Sequence, residues 1–139
     1  MSNELLISLV GASNAHQKAC CSRFAELGLT PGQPKVLSRL NYQEGYLQKE
    51  LANLCGVEPA TMTVLLNSME KKNLIRKETS HVSGGKRAFR IYLTEEGKRL
   101  GEAVDKIVDE VEKKAFEGLS PAEREEMLTL LNRVTGNLT

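Results

Sequence analysis

The chain has 139 residues, of which 40% are hydrophobic and 27% charged, and its formal net charge is +1. These proportions exclude a disordered chain and a disulfide-rich scaffold. Aromatic residues make up only 4%, whereas the helix-favouring residues Leu, Glu, Lys and Ala are frequent, so we expect a mainly α fold in a single domain over residues 1–139.

No apolar run approaches the roughly 18 residues that a membrane span needs. The first residues also lack the basic segment of a secretory signal, so we expect a cytoplasmic protein with no membrane partner. The three cysteines do not have the C-x-x-C spacing or the histidine partners of a zinc site. Neither a metal nor another cofactor is expected.

The first predicted element is a long amphipathic helix over residues 1–28, because apolar residues recur at helical spacing up to Gly28. A short second helix is predicted to open with Thr30 as its N-cap and Pro31 in its first turn, and to end near Gly45.

Residues 47–71 predict two short helices joined by a tight turn. The first helix stops at Gly56, which is suited to a positive φ, and the second opens at Glu58 and Pro59. Ala52 is small at the place where the two helices would cross. This pattern is typical of a helix-turn-helix, although an αα-hairpin that merely packs is the alternative.

The outer face of the second of these helices carries small or short side chains. A merely solvated helix more often carries Glu and Lys there, whereas short side chains can approach base edges, thymine methyl groups and phosphates. The helix N-terminus adds N–H groups that suit a phosphate. The candidate DNA contacts on this helix are Pro59, Ala60, Thr61, Thr63, Val64 and Asn67.

A β-hairpin is predicted over residues 75–93, with a first strand from Ile75 to Thr79 and a glycine-rich turn at residues 81–86. Placed directly after a helix-turn-helix, this hairpin is predicted to be the wing of a winged helix that contacts DNA, and a structural wing without DNA contact is the alternative. Residues 71–90 hold seven basic side chains and one acidic one, which indicates a polyanion site or, alternatively, a solvated face. The basic candidates for DNA contact are Lys72, Arg76, Lys86, Arg87 and Arg90.

Two more helices are predicted after the wing, one opening at Thr94 and one at Ser120, where Glu123 completes a capping box. A winged-helix part of residues 30–94 is too small to cover the apolar stripes of all the flanking helices. We therefore expect residues 1–28 and 95–139 to pack against the same helices of a second copy, and a monomeric bundle is the alternative.

Several stretches match the multiple-antibiotic-resistance regulator (MarR) family in order and spacing, and the chain resembles this family over nearly its whole length. The resemblance implies a homodimeric winged helix-turn-helix transcription factor, acting as a repressor on a pseudo-palindromic operator in double-stranded DNA. A small-molecule effector or cysteine oxidation would release it. The matching stretches are 29–33, 36–40, 47–52, 59–63, 69–76 and 91–97.

The sequence departs from the family pattern at four positions. Gly85 stands where family wings usually carry an Asp that steadies the arginine matching Arg87. Val64 and Ser68 stand where the family often has arginine, and Asn67 replaces a common Asp. The operator sequence of a relative therefore does not transfer to this chain.

Two kinds of signal are compatible with this resemblance. A small-molecule pocket between the DNA-binding and dimerisation parts has His16, Arg39 and Tyr42 as polar candidates, each of which could instead be a surface group. Thiol sensing by Cys20 or Cys21 is the other possibility, because Lys18 and Arg23 are close enough in sequence to lower a thiol pKa. A buried structural cysteine is the alternative for both.

An enzyme is not expected, because the sequence contains no glycine-rich phosphate loop, no H-E-x-x-H and no G-x-S-x-G, and has only two histidines. A winged helix that binds only other proteins, without DNA binding, is the remaining alternative to a sequence-specific DNA-binding regulator.

Overall fold

The computed structural model describes residues 3–81, 84–85 and 87–139, and in this part of the chain it is mainly helical with one small sheet. This confirms the expected α+β winged-helix class. The elements in chain order are α1 (Glu4–Glu26), α2 (Gln33–Tyr42), β1 (Tyr46–Leu47), α3 (Gln48–Cys55), α4 (Pro59–Lys71), β2 (Ile75–His81), β3 (Arg87–Leu93), α5 (Glu95–Ala115) and α6 (Pro121–Leu138).

Within the described residues, none of the helices has the length and apolar character needed to cross a bilayer. The same residues contain no group of three or more His, Cys, Asp or Glu side chains that could hold a metal ion.

The first helix of the helix-turn-helix ends at the residue that the sequence predicts. Gly56 has a φ of 66° and closes α3, and the N–H of Val57 donates to the carbonyl of Ala52 at 3.0 Å. Asn73, with a φ of 61°, turns the chain from α4 into β2, a conformation that asparagine tolerates better than most residues. These two left-handed residues fix the directions of α4 and of the wing.

The start of α2 differs from the prediction. The helix begins at Gln33 rather than Pro31, because Gly32 has a φ of 96°, which no helical residue adopts. Thr30 is not an N-cap; instead its N–H donates to Oε1 of Gln33 at 3.1 Å. Residues 30–32 therefore form a turn, and a proline still lies in the first turn of the helix as Pro34.

The sheet has the order β1-β3-β2 and is antiparallel throughout. In the hairpin, Ile75 pairs with Leu93 and His81 with Arg87, so β2 extends two residues beyond the predicted Thr79. The strand β1 pairs Tyr46 with Ile91, and its two residues are too few for any sequence pattern to reveal.

One hydrophobic core joins α2, α3, α4, α5 and the sheet. Gly97 in the first turn of α5 packs so closely that an added Cβ would lie 2.0 Å from the carbonyl oxygen of Leu74. The N–H of Thr94 donates to that same carbonyl at 3.1 Å, which ties α5 to the base of the wing. The fully buried side chains include Val36, Leu37, Leu40, Leu51, Met62, Leu66, Met69, Ile75, Ile91 and Val104.

The outer helices α1 and α6 are much less buried than this core. Cys20 is the one buried residue of α1, and α6 has none among its described residues. Polar links attach α1 and α6 to α5, through Arg23 with Glu110 and Arg124 with Glu112. Their exposed large apolar side chains are Leu5, Leu6, Ile7, Leu9, Val10, Met127, Leu128, Leu130, Leu131 and Leu138.

Candidate nucleic-acid interface

The buried face of α4 determines which of its side chains face outward. Met62, Leu66 and Met69 are fully buried, so the opposite side of the helix is free of the core. Ala60, Val64 and Asn67 are spaced by four and three residues and form one exposed row along α4. Val64 is 69% exposed, an unusual position for an apolar side chain on an otherwise well-packed helix.

The first turn of α4 is also open to solvent. Pro59, Ala60 and Thr61 are all exposed, and the N-cap residue Glu58 makes no side-chain hydrogen bond to the helix. The free backbone N–H groups at this end carry the positive end of the helix dipole and suit a phosphate oxygen.

Thr63 does not offer a free hydroxyl. Its Oγ1 accepts from Nε2 of Gln48 at 2.7 Å and donates to the carbonyl of Pro59 at 3.1 Å. The hydroxyl proton is therefore used inside the protein, and the carboxamide of Gln48, at the start of α3, lies beside the exposed face of α4. The sequence does not indicate Gln48, since only the crossing of α3 and α4 brings it to Thr63.

Asn67 contacts the wing through its carbonyl group. Nζ of Lys77 lies 2.7 Å from Oδ1 of Asn67 and 3.9 Å from a carboxylate oxygen of Glu70. The same ammonium lies 5.7 Å from the centre of the Phe89 ring. One wing lysine thus holds the amide of an exposed residue on α4.

Lys72 is occupied within the protein. Its Nζ donates to the carbonyl of Gly28 at 3.2 Å and to Oε1 of Gln33 at 3.3 Å, and Nε2 of the fully buried Gln33 donates to Oγ of Ser68 at 3.3 Å. This cluster joins the end of α4 to the turn between α1 and α2. Lys72 therefore has a structural role that its sequence context does not show.

Arg76 and Arg90 also have partners within the chain. Arg76 forms an ion pair with Glu78, and its guanidinium carbon lies 4.6 Å from the centre of the Tyr92 ring. Arg90 is half-buried and donates to the carbonyl of Gly45 at 2.9 Å. Each cation thus serves to hold the wing together.

Arg87 differs from these cations. It is exposed, and its side chain makes no hydrogen bond or ion pair with the described residues. Gly84 and Gly85 both have a positive φ, near 86° and 74°. The backbone at Gly85, the position at which the sequence departs from the family pattern, therefore has a conformation that favours glycine. Lys86 lies outside the described residues. Arg87 is thus the basic candidate with a free guanidinium in the described part of the wing.

A cavity of about 730 Å³ lies between α1, α2, α3 and α5. Of the predicted polar candidates, His16 and Arg39 line it, whereas Tyr42 is 82% exposed at the end of α2 and is not part of its lining. Two lysine or arginine side chains, Lys35 and Arg39, face the cavity, and its lining contains no carboxylate. The apolar part of the lining includes Phe24, Leu29, Leu54, Val104 and Val108.

Cys20, Cys21 and Cys55 all line this cavity, and none of them is in a disulfide. Burial raises the pKa of the Cys20 thiol, and the neighbouring Cys21 raises it further. Burial also raises the pKa of Cys55, against the opposing effect of Arg39 and Lys35. The expectation that Lys18 and Arg23 lower the pKa of Cys20 is therefore wrong. Arg23 is bound to Glu110 instead.

Comparison with known proteins gives consistent results. The model of the MarR family matches residues 29–84. The transcriptional regulator PA3341 is 28% identical, with a TM-score of 0.85 over 96% of this chain and 97% of that one. The transcriptional regulator SlyA is 26% identical, with a TM-score of 0.85 over 97% and 94%. NadR in complex with 4-hydroxyphenylacetate is 26% identical, with a TM-score of 0.77 over 97% and 92%.

Proposed function

We propose that this chain, whose residues 29–84 match the model of the MarR family, is a transcriptional regulator of that family and not an enzyme, and that it acts as a homodimeric repressor. In this proposal the dimer binds a pseudo-palindromic operator in double-stranded DNA and leaves it when a small molecule occupies the cavity.

The observation that carries the DNA-binding part is the exposed row of α4. Ala60, Val64 and Asn67 are small, apolar or amide side chains next to an open helix N-terminus, and no acidic residue lies in that row. A side chain as apolar as Val64 has no favourable partner in water, whereas the methyl group of thymine in the major groove is one.

The proposed contacts follow from which groups are free. The backbone N–H groups of Ala60 and Thr61 and the side chains of Pro59, Ala60 and Thr61 lie at a phosphate, and Val64 and Asn67 lie at base edges. Arg87 contacts the sugar-phosphate backbone from the wing. Thr63 contributes its methyl group, while Lys72, Arg76 and Arg90 position the binding surface from within.

The apolar residues of α1 and α6 support the dimer. Leu6 is 62% exposed and Leu131 is 39% exposed, and they belong to a larger set of exposed leucines on the two helices. A second copy that covers both faces would remove this surface from water and place two α4 helices in successive major grooves, roughly 34–36 Å apart.

The lining of the cavity supports a class of effector. Apolar walls with two cations and no carboxylate favour a small apolar anion. The compound bound by NadR, 4-hydroxyphenylacetate, is an aromatic carboxylate and has this character. The cavity is bordered by the turn at residues 30–32, and the neighbouring Gln33 connects this turn to Lys72 and Ser68 near the end of α4.

A fluorescence-anisotropy titration with the DNA upstream of the protein's own gene tests the proposal. We expect a nanomolar Kd that rises steeply between about 50 and about 200 mM salt, and a much weaker affinity for a scrambled duplex. Equal, weak binding to both duplexes would contradict operator binding and favour a module that binds only other proteins.

The effector is tested in the same titration with 4-hydroxyphenylacetate as the probe. We expect millimolar probe to raise the Kd for the wild-type protein, and to have a smaller effect on Arg39→Ala. An unchanged Kd for the wild-type protein would reject this class of compound while leaving the DNA-binding proposal intact.

A further inference from the structure

The oxygen and the amino group of the Asn67 amide have different surroundings in this protein. The residue is exposed on α4, in the same row as Ala60 and Val64. An asparagine side chain carries one carbonyl oxygen that accepts hydrogen bonds and one amino group with two N–H donors. On a free asparagine both ends are available to a base.

In this protein the carbonyl end is already bound. Nζ of Lys77 donates to Oδ1 of Asn67 at 2.7 Å, the short distance typical of a charge-assisted hydrogen bond. The Lys77 side chain is only 14% exposed and is held between Glu70 and the Phe89 ring. The amino end, Nδ2, makes no hydrogen bond with the described residues.

This arrangement changes which bases the amide can bind. A free asparagine reads adenine with both ends, because Oδ1 accepts from N6 while Nδ2 donates to N7. With a cation already on Oδ1, the approach of an amino group such as N6 of adenine or N4 of cytosine is disfavoured. What remains is a donor, and the major-groove edges of guanine (N7 and O6) and thymine (O4) offer it only acceptors. Adenine N7 also accepts, but the N6 amino group beside it would have to approach the Lys77 ammonium on Oδ1.

We infer that Lys77 determines the base preference of Asn67, so that Asn67 reads an acceptor edge, guanine or thymine, and selects against adenine and cytosine. Lys77 is a positioning residue in this inference, because it acts through Asn67. The inference rests on the proposed function, since it requires α4 to lie in the major groove.

The test measures relative affinities for every single-base variant of the operator. The base pair read by Asn67 is identified first, as the one whose preference disappears in Asn67→Ala. At that position we expect the wild-type protein to prefer guanine or thymine. Lys77→Met keeps an apolar chain beside Phe89 but frees Oδ1, and we expect it to shift the preference towards adenine by about tenfold, the size of one bidentate contact.

Two further variants make the result specific. Asn67→Asp keeps the partner of Lys77 but has no N–H donor, and we expect it to lose the preference for guanine or thymine by about tenfold. Lys71→Met removes a charge from an exposed lysine at the end of the same helix, and we expect it to leave the ranking of bases unchanged. If Lys77→Met does not fold, Asn67→Asp still tests the inference.

The outcomes separate this inference from the proposed function. Sequence-specific binding in which the ranking of bases is the same for wild type and Lys77→Met would overturn the inference alone. A wild-type preference for adenine at the position of Asn67 would also overturn it. A wild-type protein that binds no duplex would overturn the proposed function, and the inference with it.

Discussion

The winged-helix core and the two terminal helices differ in how far their leucines are exposed to solvent. Leu37 and Leu51 in the core are fully buried, whereas Leu6 on α1 and Leu131 on α6 are 62% and 39% exposed. Burying one such side chain completely contributes about 1.5–3 kcal/mol. The core obtains this contribution from its own chain.

This difference in exposure indicates that the two regions are stabilised by different kinds of contact. The core is held by contacts within one chain, including the close packing of Gly97 against Leu74. The terminal helices carry several exposed leucines each, and in the proposed dimer a second copy covers them. A change in the core should therefore act on folding, and a change on α6 should act on assembly.

The largest effect is expected from Gly97→Ala. The new Cβ would lie 2.0 Å from the carbonyl oxygen of Leu74, a backbone atom that cannot move without shifting the base of the wing. We expect the free energy of unfolding to fall by about 3 kcal/mol or more in chemical denaturation. Gly101→Ala on the same helix is the control, because its Cβ would make only ordinary contacts with Asn41 and Leu37. Equal stabilities for the two variants would show that α5 is not locked to the wing.

The next largest effect is expected on α6. The double variant Leu128→Glu/Leu131→Glu places two charges on its apolar face, and we expect monomers in light scattering and an operator affinity at least about a hundredfold lower, because two linked half-sites become one. Thr129→Glu adds a charge on the side of α6 that carries Glu125, Glu126 and Arg133, and this variant should remain dimeric. A double variant that stays dimeric would show that α6 is not the interface.

Arg87→Ala tests DNA binding at the surface of the winged-helix core and not the stability of that core. Because this guanidinium has no partner among the described residues, its loss should leave unfolding unchanged, weaken binding to all duplexes alike and make the salt dependence shallower by about one unit. In contrast, Arg90→Ala should destabilise the wing, since it loses the bond to Gly45. An unchanged salt dependence in Arg87→Ala would remove the wing from the interface.

The smallest effect is expected from the pair of Gln48 and Thr63. Gln48→Ala and Thr63→Val each break the hydrogen bond of 2.7 Å, and we expect each to lower operator affinity about three- to tenfold. Because both changes remove the same bond, the double variant should lose little more than either single one. Fully additive losses in anisotropy titrations would show that the two side chains act separately.

Local signals predicted most of the fold. Gly56 ends α3 by a left-handed conformation, and the capping box of Ser120 and Glu123 starts α6, with hydrogen bonds of 2.8 and 3.1 Å. Each of these signals depends on residues close together in sequence. This is why the helix-turn-helix, the wing and the last helix could be placed without a structure.

The candidate site was less predictable because its chemistry depends on distant contacts. Lys72 is bound to the carbonyl of Gly28 and Arg90 to that of Gly45, each more than 40 residues away. A cation with such a partner looks the same in the sequence as the free Arg87. Likewise, nothing in the sequence shows that Lys77 holds Asn67 or that Tyr42 points away from the cavity.

The mass of the protein–operator complex in sedimentation equilibrium tests the central claim most directly. The account predicts two chains of 15.4 kDa on one duplex, formed at nanomolar concentration and lost when either half-site is scrambled. A complex with a single chain per duplex, or a wild-type dimer that sediments apart from the DNA, would contradict it.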